Sequence, residues 1–107
     1  MITQEMVYDE KRRFIRKLEE ALLCLDDIRG VDYRESSSKD IELVRIDWHG
    51  ARNLHEYINV TGNSLKDILE EVMSMVQEGW AIGQIRSPGR GDKLWDELGT
   101  EMDKEDA

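Results

Sequence analysis

Two histidines and their acidic neighbours are the residues whose types could bind a metal. His49 and His55 flank a predicted hairpin turn, Asp47 lies just before it, and Glu56 is predicted on the opposite face of the strand from His55. Imidazoles and carboxylates are zinc ligands, but this spacing differs from the helical histidine pair and from the C-x-x-C knuckle of known sites. The pattern therefore favours two surface imidazoles beside a loop, with no metal and no cofactor.

Nucleophilic catalysis would require a serine or cysteine next to a histidine that acts as its base. Cys24 is the single cysteine, and it lies between two leucines in a helical pattern, so it is predicted to be a small buried hydrophobic residue. The serines fall in predicted turns, and the chain has no G-x-S-x-G elbow, phosphate loop or G-x-G-x-x-G motif. The sequence thus predicts a protein that is not an enzyme.

The strongest surface feature is a row of acidic side chains on one predicted helix. Asp67, Glu71, Ser74 and Glu78 recur at i, i+4, i+7 and i+11, and Glu70 lies beside them. Neighbours on such a row lie about 6 Å apart at Cβ, a distance similar to that between successive phosphates of a nucleic-acid strand. The functional interpretation of such a row is a surface that mimics phosphate charge and pairs with Arg and Lys of a partner. An ordinary solvated helix face is the alternative.

Further residues are predicted to extend or flank this acidic face. A C-terminal acidic run would continue it through Asp106, and two exposed tryptophans would anchor the interface, since aromatic side chains often do so. The predicted partner-binding residues are, on the acidic face, Asp67, Glu70, Glu71, Glu78, Asp92, Asp96 and Glu97, and, as aromatic anchors, Trp80 and Trp95.

Basic residues form two smaller groups. One lies in the middle of the first predicted helix and could contact phosphate, but acidic residues alternate with it at i,i+3 and i,i+4 spacing, which favours a solvated, internally paired face. Its members are Lys11, Arg12, Arg13, Arg16 and Lys17. Arg86 and Arg90 belong to a glycine-containing segment that resembles RNA-binding loops, but a connector is the favoured interpretation because the chain carries a net charge of −9.

Length and composition limit the function classes. The chain has 107 residues, 39% of them hydrophobic and 36% charged, which fits one domain with a thin core. A net charge of −9 repels nucleic acid and anionic lipid and favours approach to basic surfaces. Neither a secretory signal nor an apolar run of the roughly 18 residues of a membrane span is visible. The predicted location is the cytoplasm.

An apolar stripe indicates a long first helix. Thr3 can cap its start, Gly30 can end it, and only position 11 is missing from a stripe with three- and four-residue spacing. The helix is predicted over residues 3–29, with a stripe made of Val7, Phe14, Leu18, Ala21, Leu22, Leu25 and Ile28.

Residues 41–79 hold the densest apolar pattern and are typical of a β-hairpin followed by an amphipathic helix. Strands are predicted over residues 41–48 and 54–60, with a loop at 49–53 and with Tyr57 facing outward. Ser64 is a good N-cap, and the stripe from Leu65 to Val76 precedes a stop at Gly79. The remaining predicted elements are an edge strand at 31–34, a polar turn at 36–39, a strand or irregular segment at 80–85, a loop at 86–91, and a last helical turn from Asp92 to Gly99.

These elements predict an α+β fold. It consists of a long N-terminal helix, a small antiparallel sheet of about three strands, a second amphipathic helix, and a short C-terminal helix followed by an acidic tail. A single domain is predicted over residues 1–99, and a disordered tail over residues 100–107.

The chain resembles the small acidic proteins that phages and other mobile elements use against host defences, of which anti-CRISPR inhibitors are an example. The resemblance lies in size, charge and element order. The stretch from Trp48-His49-Gly50 through Tyr57 to Thr61, with Ser64 opening the helix, also resembles small proteins of phages of Gram-positive bacteria. The resemblance implies a stoichiometric inhibitor, a monomer or homodimer, that fills the basic groove of a nucleic-acid-binding protein such as a Cas nuclease. The basic cluster of the first helix and Arg86 and Arg90 dilute the negative field expected of such a mimic.

The alternative function is a small structural or regulatory phage protein that associates with itself. The long amphipathic first helix and the predicted edge strand would each offer a surface for a homodimer.

Overall fold

Three helices and one antiparallel sheet make up the part of the chain that the structure describes. The computed structural model describes residues 3–49 and 55–106. Its elements are α1 (Gln4–Leu22), β1 (Ile28–Ser36), β2 (Ile41–Trp48), β3 (His55–Asn59), α2 (Leu65–Glu78) and α3 (Pro88–Asp106). The strand order is β1-β2-β3, and both pairs are antiparallel. The α+β class with a small antiparallel sheet is confirmed; most of the predicted hairpin loop, residues 50–53, and Leu54 lie outside the described residues.

The first helix begins as predicted and ends seven residues early. Thr3 Oγ1 accepts a hydrogen bond from the backbone N–H of Met6 at 3.2 Å, and α1 ends at Leu22 rather than at residue 29. Asp26 and Asp27 would place two negative charges at the negative end of the helix dipole, which is unfavourable. Ile28 instead starts β1 and pairs with Trp48, so the predicted short strand at 31–34 is longer at both ends.

The early end of α1 changes the environment of two residues. Cys24 lies in the turn between α1 and β1 and is exposed, so the prediction of a buried cysteine is wrong. The buried face of α1 contains Tyr8, Lys11, Ile15 and Leu22. Lys11 therefore occupies the position missing from the apolar stripe, and its prediction as part of a solvated face is also wrong.

Strand β2 is the centre of the fold and has the predicted bounds. Val44 and Ile46 point to the layer formed by α1 and α2, while Leu43 points to the opposite face. Helix α2 also has its predicted bounds, with Ser64 capping Asp67 and Gly79 ending the helix at φ 81°. Ile68, Val72 and Met75 of α2 are fully buried against the sheet.

The second face of the sheet is covered by α3, which makes the fold three layers deep. Trp95 and Leu98 of α3 pack on Leu43 and Tyr57. Tyr57 is buried, although its alternation with Ile58 predicts an outward side chain, because that outward face lies under α3. The helix approaches so closely that a Cβ at Gly91 would lie 2.4 Å from the Tyr57 ring.

Helix α3 is longer than the single turn predicted for this segment. It begins at Pro88, since proline suits the first turn of a helix, so four of the six residues of the predicted loop at 86–91 are helical. It also runs through Gly99 to Asp106. The division of the chain at residue 99 stays a prediction, because nothing in the fold tests it.

Residues 80–85 are irregular and cover the outer edge of β3. The backbone N–H of Asn59 donates to Gly83 O at 2.8 Å, and that of Ile85 donates to Tyr57 O at 2.9 Å. Gly83 is required at this contact, because a Cβ there would lie 2.4 Å from Asn59 O.

A buried ionic network joins four elements of the first layer. Lys11 Nζ of α1 lies 2.6 Å from Glu42 Oε1 of β2, and Tyr33 of β1 donates its hydroxyl to the same oxygen at 2.7 Å. The other oxygen, Glu42 Oε2, accepts the backbone N–H of Gly62 in the β3–α2 turn at 2.7 Å. The side chains of Lys11 and Glu42 are only 7% and 6% exposed. Each oxygen of the buried carboxylate thus has a partner, as a buried charge requires.

The buried tyrosines predict a loss of stability at alkaline pH. Burial and, second to it, the hydrogen bond to Asp92 raise the pKa of Tyr57 from the ordinary value of about 10 to about 12; burial also raises the pKa of Tyr33. The unfolded chain loses these phenol protons near pH 10, whereas the folded chain retains them. The free energy of unfolding should therefore fall between about pH 10 and pH 12.

Urea unfolding followed from about pH 9 to pH 12 measures this decline. Tyr57→Phe lowers the starting stability but removes the contribution of its phenol, so its decline should be shallower than that of the wild-type chain. Equal slopes for the two proteins would contradict the assignment to Tyr57.

Candidate partner-binding surface

The predicted acidic row lies on a flank of α2. At 100° per residue, Asp67, Glu71, Ser74 and Glu78 point to one side of the buried stripe, next to residues 80–85, and Glu70 points away from the core. Asp67, Glu70 and Glu78 are exposed, while Glu71 and Ser74 are half-buried. The row is therefore presented at the border between α2 and the segment that covers β3.

Glu71 differs from the other acids because it has a structural contact. Its Oε2 accepts the backbone N–H of Gly83 at 2.9 Å, which ties residues 80–85 to α2. Within residues 3–49 and 55–98, Asp67, Glu70 and Glu78 have no side-chain ion pair or hydrogen bond. These three carboxylates are thus free to meet a cation from outside.

A shallow groove of about 340 Å³ lies between this flank and residues 80–85. We call it the acidic groove; its walls are formed by Asn63, Asp67, Glu70, Glu71, Ser74 and Ile82. Three of these residues carry negative charge and none carries positive charge. Ile82 is 85% exposed, and Trp80, two residues before it, is 51% exposed. The groove therefore combines unbalanced acidic charge with exposed apolar side chains.

Asp92, Asp96 and Glu97 of α3 do not extend this surface. Helix α3 lies on the Leu43 and Tyr57 face of the sheet, whereas α2 lies on the Val44 and Ile46 face. The α3 acids also have contacts of their own. Asp92 accepts the hydroxyl of Tyr57, Asp96 has an interaction of its own, and Glu97 pairs with Lys39 at 3.1 Å. Nothing is described of the side chains from Gly99 to Asp106, which include the remaining predicted acids.

The two tryptophans predicted as anchors have opposite environments. Trp80 is half exposed beside the acidic groove, as an anchor must be. Trp95 is 1% exposed, and the guanidinium carbons of Arg34 and Arg45 lie 4.5 and 4.8 Å from its ring centroid. The prediction of an exposed Trp95 is wrong, because this side chain lies in the apolar cluster between α3 and the sheet.

Of the residues considered as metal ligands, His55 and Asp47 are brought together on the sheet, whereas His49 is exposed at the end of β2. His55 Nδ1 contacts Asp47 Oδ1, and the same oxygen lies 3.1 Å from Arg45 Nε. Glu56 is on the other face and accepts the side-chain amide of Gln84 at 3.0 Å. Among the described residues, no group of three His, Cys, Asp or Glu side chains is arranged to hold a metal ion.

A second charged surface, which the sequence does not predict, follows the outer edge of β1. It is a cleft of about 530 Å³ between α1 and this edge. We call it the arginine cleft, after the side chains that line it from three elements, Arg12, Arg16, Arg29, Arg34 and Arg45. Only the pair on α1 is visible as a sequence pattern, because the predicted helix over residues 3–29 places Arg29 far from β2.

No helix in the described part of the chain is both long and apolar enough to cross a membrane. No protein-family model, curated protein or solved structure matches this chain.

Proposed function

We propose that this protein is a non-enzymatic interaction protein whose acidic α2 face, made of the acidic groove and the neighbouring Glu78, occupies the basic nucleic-acid-binding surface of a partner. The observation that carries the proposal is the set of three exposed, unpaired carboxylates, Asp67, Glu70 and Glu78, on the helix whose other face anchors the core. Because Ile68, Val72 and Met75 are fully buried, the backbone that carries these charges is held in place. Fixed negative charge is suited to the pairs that Arg and Lys form with phosphate.

Exposed apolar residues beside the groove support a protein partner. Ile82 and Trp80 would bury their side chains against the partner, while the carboxylates pair with its cations. Interfaces commonly combine a desolvated apolar or aromatic anchor with complementary charge at its border.

The resemblance to phage inhibitors suggests the class of partner. In the proposed role the protein acts in the cytoplasm of a bacterial host and blocks a defence protein that handles nucleic acid. The channel of a Cas nuclease is positively charged and holds its heteroduplex through the backbone, so a Cas nuclease is the first partner to test.

Self-association through a sheet edge is less favoured by the contacts. The backbone N–H of Val31 donates to Glu19 Oε2 at 2.9 Å, and that of Tyr33 donates to Asp32 Oδ1 at 2.8 Å. These donors of β1 would otherwise pair with a strand of a second copy. The β3 edge is covered by residues 80–85.

Neutralising the groove tests the proposal. The variant Asp67→Asn/Glu70→Gln/Glu78→Gln should bind a purified Cas nuclease at least about tenfold more weakly than the wild-type protein, since it loses three charge pairs. The measurement is displacement of labelled target DNA from the nuclease, followed by fluorescence anisotropy at several salt concentrations. Glu71 is left unchanged because it holds Gly83.

A matched control separates the groove from overall charge. Glu10→Gln/Glu20→Gln/Asp26→Asn removes the same number of charges from exposed positions outside the groove and should compete almost as well as the wild-type chain. Equal competition by the groove variant and the wild-type chain would contradict the proposal. If the wild-type chain displaces no DNA, this partner class is wrong, and affinity capture from a bacterial lysate supplies the next one.

A further inference from the structure

The arginine cleft carries positive charge in a chain whose net charge is −9. It is lined by five arginines and three acids. The acids are Glu19, Asp32 and Asp47, and each already has a contact within the fold. Glu19 and Asp32 accept backbone N–H groups of β1, and Asp47 contacts His55 and Arg45. Arg12 is also paired with Asp9 and Glu35, and Arg34 donates to Trp95 O at 3.0 Å. Five acids thus match the five arginines in number, and the arginines of the cleft that lack a partner among the described residues are Arg16 and Arg29.

Several guanidinium groups of the cleft retain free donors. Arg16 and Arg29 are exposed, and neither has an ion pair or hydrogen bond with another described residue. Arg12 uses its terminal nitrogens on Asp9 and Glu35, but its buried Nε has no hydrogen-bond partner. The buried Nε of Arg45 also lacks one, although it lies 3.1 Å from Asp47 Oδ1.

The arginines are held at fixed positions around the cleft. Arg12 and Arg16 lie one turn apart on α1, whose buried side packs on the sheet. Arg29 lies near the start of β1, and Arg45 lies on β2 opposite Asp32 of β1. Arg34 and Arg45 also contact the Trp95 ring, so the free guanidinium groups at the cleft are those of Arg16 on α1 and Arg29 on β1.

We infer that the arginine cleft binds a small ligand with adjacent phosphate groups. Guanidinium groups match the geometry of phosphate oxygens and often bind them through two parallel hydrogen bonds. A volume of about 530 Å³ is within the usual range of small-molecule sites, about 300 to 1,000 Å³. A nucleic-acid strand is disfavoured, because the acidic chain repels a long polyanion.

This site is independent of the acidic groove. The cleft lies at the β1 edge of the sheet and the groove lies beside residues 80–85, which cover the β3 edge. Failure of either proposal therefore leaves the other standing.

Calorimetric titration with pyrophosphate and with ADP tests the inference. Both ligands should bind the wild-type chain, because both present adjacent phosphates. The variant Arg16→Gln/Arg29→Gln should bind each at least about tenfold more weakly, since charge-assisted hydrogen bonds are lost. Both side chains are exposed, so the variant should unfold at the temperature of the wild-type chain.

The control variant Arg86→Gln/Arg90→Gln changes the net charge by the same amount at exposed positions outside the cleft and should bind both ligands as the wild-type chain does. Absence of pyrophosphate and ADP binding, or an equal loss in the two variants, would overturn the inference. A single-stranded oligonucleotide that binds more tightly than ADP and loses affinity in the cleft variant would also overturn it, in favour of a nucleic-acid surface.

Discussion

Replacing Lys11 with Met is expected to lower the free energy of unfolding by about 3–5 kcal/mol, because it leaves the buried Glu42 carboxylate without its cation. Glu42 is 5% exposed, so water cannot replace the lost ammonium group. Such a cost is a large share of the stability of a domain of this size, about 5–15 kcal/mol. Urea unfolding followed by circular dichroism measures it as a shift of the midpoint at constant slope.

Two further variants make this prediction specific. Lys17→Met removes an exposed lysine of the same helix and should change stability by less than about 0.5 kcal/mol. Lys11→Met/Glu42→Gln removes both buried charges and should recover part of the loss, since the amide oxygen of Gln can still accept one hydrogen bond. A Lys11→Met variant as stable as Lys17→Met would show that the fold does not depend on this pair.

Replacing Trp95 with Ala is expected to cost about 3–5 kcal/mol, as is usual for a buried large aromatic side chain. The indole fills the contact between α3 and the sheet, and the guanidinium groups of Arg34 and Arg45 lie over its ring. Its loss leaves these two cations without the ring that they contact. Because the effect is local to one layer, hydrogen exchange of α3 amides should accelerate more than that of α1 or α2.

Trp80→Ala is the matched control, since it deletes the same side chain at a half-exposed position. It should change the urea midpoint much less than Trp95→Ala. Trp95→Phe retains an aromatic face for the arginines and should be intermediate. Equal acceleration of hydrogen exchange in all three helices would contradict the view that Trp95 stabilises α3 more than the other two helices.

Local patterns were sufficient to predict β2 and α2. Alternation in β2 places Val44 and Leu43 on opposite faces, and Ser64 and Gly79 mark the two ends of α2. Helix α2 has strong caps and strand β2 has regular alternation, and the tertiary contacts of each element agree with its local signal.

The end of α1 and the role of α3 could not be predicted in the same way. Leu25 and Ile28 continue a helical spacing, but pairing with Trp48 draws Ile28 into β1. Trp95 and Leu98 form a short apolar pattern whose partner, the Leu43 and Tyr57 face, is distant in the sequence. The third layer therefore depends on contacts between residues that are far apart in the sequence, and no local pattern predicts such contacts.

The candidate surfaces were predictable only in part. The acids of α2 follow from helical spacing, but the involvement of Glu71 with Gly83 and the exposure of Ile82 depend on how residues 80–85 return to β3. Likewise, the arginine cleft depends on β1 pairing with β2, which brings Arg29 and Arg45 towards α1.

The acidic groove and the arginine cleft lie at opposite edges of the sheet, one beside β3 and the other beside β1. A basic partner that binds the acidic groove would therefore leave the arginine cleft facing solvent. A ligand in the cleft would then remain reachable while the partner is bound.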